Sequence, residues 1–162
     1  MLFRSGVNSG TVRVGDMGSQ VRRAYTAMGD AVNVASRLEG RTKGYGLGIL
    51  VGEATRNLVK DVLFREVDRI KVKGKDEAIT IYEPLGLESE IEKKTHDELK
   101  LWNQTLRQYR TQQWDQAEVG LLNLQRINSA CGLYAAYVER IAEKRRNPPP
   151  ADWDGVTAFD EK

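Results

Sequence analysis

The chain reads as an α+β protein: a first half built as an antiparallel-rich sheet with helices, and a second half that is all-α. Three observations predict this. From Leu2 to about Gly86 the patterns run strand, strand, helix, strand, short helix, strand, strand, an order typical of mixed rather than strictly alternating folds. After Gly86 the composition shifts to a charged connector carrying Glu88, Glu90, Glu92, Lys93 and Lys94. From Thr95 onward apolar residues recur at the three-four spacing of a helix. Residues 1–87 are accordingly read as a sheet-bearing unit, 88–147 as a helical tail and 148–162 as an extended C-terminal tail.

Composition narrows the function classes. A length of 162 residues suffices for one domain with a real core, or for two small units. A formal charge of +2 is too small to argue for nucleic acid or an anionic membrane as partner. Cys131 is the only cysteine, so no intrachain disulfide can form, and a reducing cytoplasm fits. His96 is the only histidine, which excludes a His-rich metal site or a histidine triad confined to this chain. No apolar run reaches the length of a membrane span, and Met1-Leu2-Phe3-Arg4 is not followed by the apolar core of a signal peptide. The chain begins almost inside a strand and is expected to be a fragment.

Taken in order, Leu2 to Val7 reads as a strand, Asn8-Ser9-Gly10 as a tight turn, and Thr11 to Val14 as a second strand pairing with the first. Gly15 to Gln20 reads as a glycine-bearing loop, and Val21 to Met28 as an extended segment. Asp30 is a candidate N-cap for a helix from Ala31, with Val32, Ala35 and Leu38 on its buried face and Gly40 as its stop. Arg41 to Gly48 then reads as a basic, glycine-rich loop. Ile49-Leu50-Val51 is a buried strand, Gly52 to Val59 a short helix, and Phe64 to Val67 with Asp68 to Val72 leads into a strand. Lys73-Gly74-Lys75-Asp76 is the turn before a returning strand at Ala78 to Tyr82.

The helix from Ala31 carries the chemistry. Asn33 and Arg37 lie four residues apart, one turn above each other on one face. An amide can orient a hydroxyl, and a guanidinium offers a planar fork of donors suited to phosphate. On spacing alone the pair is also what a solvated helix surface contains. The wider pattern adds to it: Gly6-Val7-Asn8-Ser9-Gly10, then Val14-Gly15-Asp16-Met17-Gly18-Ser19, then Tyr25-Thr26-Ala27-Met28-Gly29-Asp30-Ala31-Val32-Asn33-Val34-Ala35-Ser36-Arg37-Leu38-Glu39. This succession closely resembles the class III adenylate and guanylate cyclases, over about residues 2–87 and the second half of that family's catalytic domain.

The resemblance implies a partial ferredoxin-like sheet, working as a dimer with a second cyclase catalytic domain and with the site between the two. It implies conversion of ATP to 3′,5′-cyclic AMP and pyrophosphate, with magnesium or manganese in the complete domain. By the same resemblance Asn33 orients the ribose, Arg37 stabilises charge on the pentavalent phosphorus, Thr26 reads the purine edge, and Lys73 binds the triphosphate. Thr26 leans toward adenine, so a guanylate cyclase is the disfavoured variant. The family's two metal-binding aspartates and its adenine-selecting lysine belong to a part not in this chain. No metal is therefore expected on this chain alone, and it is expected to be inactive alone.

In the second half, Leu99, Trp102, Leu106 and Tyr109 mark one helix face, with Thr95 and Glu98 as a candidate capping box. Asp115 is a candidate cap for a second helix faced by Ala117, Leu121 and Leu124, and Leu133 to Arg146 forms a third. The array resembles a tetratricopeptide-like pair. Its combination with the cyclase-like half resembles bacterial adenylate cyclases of the membrane-receptor type, so the parent would be anchored in the inner membrane by a region outside this chain. Pro148-Pro149-Pro150 ends the last helix, and Trp153 in the tail is expected to tuck against a surface. Cys131, in a turn, reads as structural. The competing reading is a non-catalytic dimerisation or partner-binding module. Either way, a sheet lacking its first strands should repair its edges by dimerising, by swapping elements with another copy, or by laying the tail helices over the gap.

Overall fold

The structure is a computed structural model that describes residues 3–71 and 77–159. Its elements are β1 (Ser5–Val7), β2 (Arg13–Gly18), β3 (Arg23–Met28), α1 (Asp30–Tyr45), β4 (Ile49–Gly52), α2 (Glu53–Leu58), β5 (Val62–Lys71), β6 (Ala78–Leu87), α3 (Lys93–Arg110), α4 (Trp114–Ile127), α5 (Gly132–Arg146) and β7 (Thr157–Ala158), with a 3-10 turn at Glu88–Glu90. The mixed α+β reading holds.

Two sheets form. The main one has the order β1-β4-β6-β5-β7, and β2 and β3 make a separate two-stranded ribbon. The pairing expected between the first two strands is corrected here. β1 runs parallel to β4, with Gly6 opposite Leu50, while β2 pairs antiparallel with β3, Arg13 opposite Met28 and Gly18 opposite Arg23. The residues at 15–18, expected in a loop, belong to β2. The turn-forming triplet that suggested a hairpin is used differently. The Asn8 amide donates to the Ala31 carbonyl at 3.2 Å and the Ser9 hydroxyl meets that of Thr55 at 2.8 Å, so the triplet leads the chain away from β1.

The long hairpin of β5 and β6 forms the centre. Its register shifts between Glu66 and Asp68, so that Glu66 faces Tyr82, Asp68 faces Ile81, and Val67 is the extra residue of a bulge. A strand normally alternates its faces with period two. Here Arg65, Val67, Asp68 and Ile70 are all buried, the phase change that one inserted residue produces. The carbonyls at the bulge do not go unpaired. That of Glu66 accepts from the Trp102 indole at 2.7 Å, and that of Val67 from the Tyr137 hydroxyl at 2.6 Å.

Helices α3, α4 and α5 pack into the same apolar cluster as the sheet, which unites Leu38, Leu50, Val67 and Ile81 with Trp102, Leu106, Leu121, Tyr134 and Ile141. Trp102 lies at the crossing, 5.5 Å from the Tyr134 ring and 5.0 Å, edge on, from that of Tyr137. The expected capping box is corrected: α3 starts at Lys93 with Glu92 as its cap residue, and Glu98 is buried inside the helix contact. Its carboxylate accepts from the Tyr134 hydroxyl at 2.5 Å and the Asn128 amide at 3.1 Å, and faces the Arg65 guanidinium at 3.5 Å. Arg65 also donates to Glu83. Asp115 is likewise a first-turn residue of α4, whose cap position is Gln113.

One sheet edge is covered not by the tail helices but by the extended C-terminal segment. β7 runs parallel to β5, Thr157 opposite Ile70. Trp153 is half-buried, its ring 5.5 Å from Tyr109 and under the Lys144 ammonium at 4.6 Å. Cys131 is partly buried, which pushes its thiol up and away from reactivity.

Two outcomes follow. Trp102→Ala removes a fully buried indole and orphans the Glu66 carbonyl; urea unfolding should show a loss of about 3–5 kcal/mol. Burial pushes the Tyr109 hydroxyl up to about 12 and also raises those of Tyr45, Tyr134 and Tyr137. A group whose folded value lies above its unfolded one, about 10 for tyrosine, stabilises fully below that pH and loses its contribution as pH rises. The urea midpoint should therefore fall from about pH 10 upward, and Tyr109→Phe should flatten the fall between there and about 12.

Candidate functional site

Helix α1 forms because Val34, Leu38, Thr42 and Tyr45 recur at spacings of four, four and three and are all buried. The expected stop at Gly40 is corrected, because the buried stripe continues for another turn and a half. Gly40 and Gly44 lie on the open side, and the expected loop from Arg41 is helix as far as Tyr45. Gly46, in the left-handed conformation at φ 64°, ends it. At the other end the cap residue is Gly29, not Asp30. The Gly29 carbonyl accepts from Val32 and Asn33, and Asp30 contributes its charge to the first turn.

The helix is seated tightly at both ends. A Cβ on Gly6 of β1 would lie 2.1 Å from the Ala35 carbonyl oxygen and 2.4 Å from the Glu39 nitrogen, so only glycine lets β1 pass this close beneath α1. A Cβ on Gly46 would lie 2.8 Å from Gly132, where α5 begins. The depth of the helix is thus fixed by backbone meeting backbone.

On this seated helix, Asn33 is exposed and Arg37 half-buried, one turn apart. Arg41 continues the stripe by one further turn. Thr26 is exposed on β3, opposite Gly15, at the start of the approach to α1. Lys73 lies outside the described residues. Helix α1 therefore brings Asn33 and Arg37 together, while Thr26 belongs to the separate ribbon.

A cleft of about 410 Å³ opens near the start of α1, between Asn8–Thr11, Asp30, Val34, Glu53 and Asn57. Asn33, Arg37 and Thr26 do not line it. Asn33 and Thr26 stand instead exposed and Arg37 half-buried, an arrangement suited to a site that a second body completes. The ribbon beside them has the same character, with Val14, Tyr25 and Met28 more than half exposed. Among the described residues, no three His, Cys, Asp or Glu side chains are grouped so as to hold a metal ion, so this part of the chain does not fit a resident metal. No helix of the described residues is long and apolar enough to cross a membrane.

Sequence reasoning missed a second cluster, at the far end of α1. One oxygen of the buried Asp68 carboxylate accepts from the Tyr45 hydroxyl at 2.6 Å, from Arg140 Nη1 at 2.7 Å and from the Thr157 hydroxyl at 2.8 Å. Nothing in the sequence marked Asp68 out, because β5 also carries Arg65, Glu66, Arg69 and Lys71.

Residues 1–83 match the adenylate and guanylate cyclase catalytic domain. Adenylate cyclase 1 of Rhizobium meliloti (strain 1021) is 47% identical over 85 residues, which are 52% of this chain and 13% of that protein. An adenylate cyclase of Anabaena cylindrica is 54% identical over 82 residues, 48% of this chain and 16% of that protein. The chain thus spans only about one-seventh of the length of these relatives. The crystal structure of the adenylyl cyclase CyaB from P. aeruginosa aligns with a TM-score of 0.43 at 34% identity, covering 50% of this chain and 41% of that one.

Because Asn33 is exposed on a helix held by its opposite face, its side chain contributes little to folding. Asn33→Ala should leave the unfolding free energy within about 0.5 kcal/mol of the original, measured by urea titration.

Proposed function

The chain belongs to the adenylate and guanylate cyclase catalytic-domain family, and on that premise we propose that it supplies the transition-state-stabilising side of a site forming 3′,5′-cyclic AMP from ATP. The observation that carries this reading is the placement of Asn33 and Arg37, one turn apart on the open side of a helix whose depth is set by backbone contacts.

The reaction makes a bond from the ribose 3′-oxygen to the α-phosphorus and breaks the bond to the β-phosphate bridging oxygen, releasing pyrophosphate. The 3′-hydroxyl proton leaves to a base or to water. Negative charge builds on the non-bridging oxygens as phosphorus becomes five-coordinate. A guanidinium is always protonated, and its fork of donors meets two such oxygens at once. That is the role of Arg37. The Asn33 amide, one turn away, holds the ribose so that the 3′-oxygen is in line. Thr26 reads the purine edge, and its hydroxyl can pair with the adenine amino group. Lys73 is assigned to the triphosphate.

Magnesium or manganese activates the attacking oxygen and steadies the polyphosphate in such reactions. We assign its binding to residues outside this chain, and derive no step here through a metal. The exposed ribbon and the open position of Asn33 support a second catalytic domain as partner, in a homodimer. The single cysteine fits a reducing, cytoplasmic location, and a cyclic nucleotide product fits signal transduction. We keep the tetratricopeptide-like reading for α3 and α4, and the membrane-receptor class for the longer protein. The competing reading, a non-catalytic docking module, makes Asn33 and Arg37 ordinary surface.

The test is cyclic AMP formation from ATP with manganese, by this chain alone and mixed with a separately made half-domain that carries the metal-binding aspartates. Activity is expected only in the mixture, and Arg37→Ala should lower it by at least about 100-fold. Activity of the chain alone would remove the fragment argument. Silence in both, with weak ATP-analogue binding unaffected by Arg37→Ala or Lys73→Ala, would favour the docking module.

A further inference from the structure

The last turn of α1 is gripped by residues more than a hundred positions further along the chain. Phe159 lies between two side chains of that turn: its ring meets Tyr45 edge on at 6.4 Å and 82°, and the Arg41 guanidinium stands 3.9 Å above it. Two residues earlier, Thr157 donates its hydroxyl to the Asp68 oxygen that also accepts from Tyr45. Arg140 of α5 closes the cluster, bonded to Asp68 and stacked 4.7 Å from the Tyr45 ring and 5.0 Å from that of Tyr137. The intervening strand β7 is pinned to β5 through Ile70 and Lys71.

Arg41 follows Arg37 by one turn, and Arg37 follows Asn33 by one turn. An α-helix is stiff along its axis over such a distance, so a shift or roll at Arg41 reaches Asn33 and Arg37 almost undiminished. We propose that Thr157 and Phe159, acting through Arg41, Tyr45 and Asp68, are positioning residues that fix the axial placement and roll of the helix presenting Asn33 and Arg37 to nucleotide. This rests on the role given above to those two residues. The helical tail is then a structural part of the nucleotide site: α5 and the segment after it hold α1 in register with the sheet.

The grip combines contacts of different kinds. Asp68 is a carboxylate with no exposure; one oxygen takes the Arg69 backbone N–H of its own strand, and the three donors to the other come from three separate elements. Removing any one donor leaves a buried charge less well satisfied. Phe159 adds a ring that loses most of its contact area if α1 rolls. The helix therefore has one preferred seat.

The experiment uses the 162-residue chain. Hydrogen exchange is followed across α1, and binding of a non-hydrolysable ATP analogue with manganese is measured in parallel, for Phe159→Ala, Thr157→Val, Phe159→Tyr and Arg37→Ala. Phe159→Ala should speed exchange in the second half of α1 by about tenfold, with α4 unchanged, and should weaken analogue binding several-fold as the helix loses its seat, roughly the penalty of a sub-ångström misplacement. Thr157→Val should act in the same direction. Phe159→Tyr keeps the ring and should restore both readouts. Unaltered α1 exchange in Phe159→Ala and Thr157→Val overturns the proposal. So does binding that Arg37→Ala weakens and Phe159→Ala does not. Binding that neither variant changes, with α1 exchange raised as expected, overturns the role of Arg37 and the positioning claim with it.

Discussion

The architecture depends on one inserted residue. Val67 bulges from β5, and from that point the strand presents the opposite set of side chains to the helices. Without it, Asp68 would follow Val67 to the other face and its charge would meet no donors. With it, Val67 and Asp68 are both buried, the first in the apolar cluster and the second among Tyr45, Arg140 and Thr157. The bulge also frees two carbonyls from the ladder, and the helices supply their partners, Trp102 and Tyr137. An irregularity in the sheet thus becomes the point where α3, α5, α1 and β7 all attach. A regular strand would have no spare backbone acceptors there and no carboxylate facing inward.

Helix α1 inherits its position from this arrangement. Its first half rests on β1, where Gly6 permits backbone contact, and its end meets α5 at Gly46 and Gly132. Between these two points the apolar stripe from Val34 to Tyr45 is buried, so Asn33 is turned outward, with Arg37 and Arg41 half-buried along the same stripe and Arg41 against Phe159. Phosphoryl transfer asks little of the protein beyond donors held at fixed places. A helix held by close backbone contacts and by a buried carboxylate meets that demand better than a loop would, because its donors cannot move without disturbing the core.

How much of this was legible depended on whether the cause was local. The existence of α1 and the burial of Leu38 followed from periodicity, and Asn33 and Arg37 from the surrounding pattern, but the inner face runs through Val34, Thr42 and Tyr45, with Val32 and Ala35 only half-buried at its margin. Its end was misplaced because Gly40 breaks helices on average, whereas here Thr42 and Tyr45 bury one more turn and outweigh that propensity. The triplet Asn8-Ser9-Gly10 has the chemistry of a hairpin turn, yet Asn8 spends its amide on α1 and so diverts the chain, which only the tertiary contact reveals. Glu98 has capping spacing from Thr95, but Arg65 on a distant strand draws it into the interior. The Asp68 cluster was out of reach, since the donors to its shared oxygen lie 23, 72 and 89 positions away.

Two arginines, Arg65 buried and Arg140 half-buried, decide how the helical tail meets the sheet. Arg65 projects from β5 toward Glu98 and Tyr134, and Arg140 projects from α5 toward Asp68. The polarity of the two contacts is reversed: one cation comes from the sheet and the other from the helices. An apolar contact alone tolerates a slide of one helical turn at modest cost, because leucine and tyrosine surfaces repack. A slide here would take Asp68 from Arg140 and Glu98 from Arg65, which keeps Glu83 of the sheet, and would leave two buried carboxylates short of a cation, a penalty of several kcal/mol. The interface therefore has one register, and the register of the tail on β5 is what carries Thr157 and Phe159 to the end of α1.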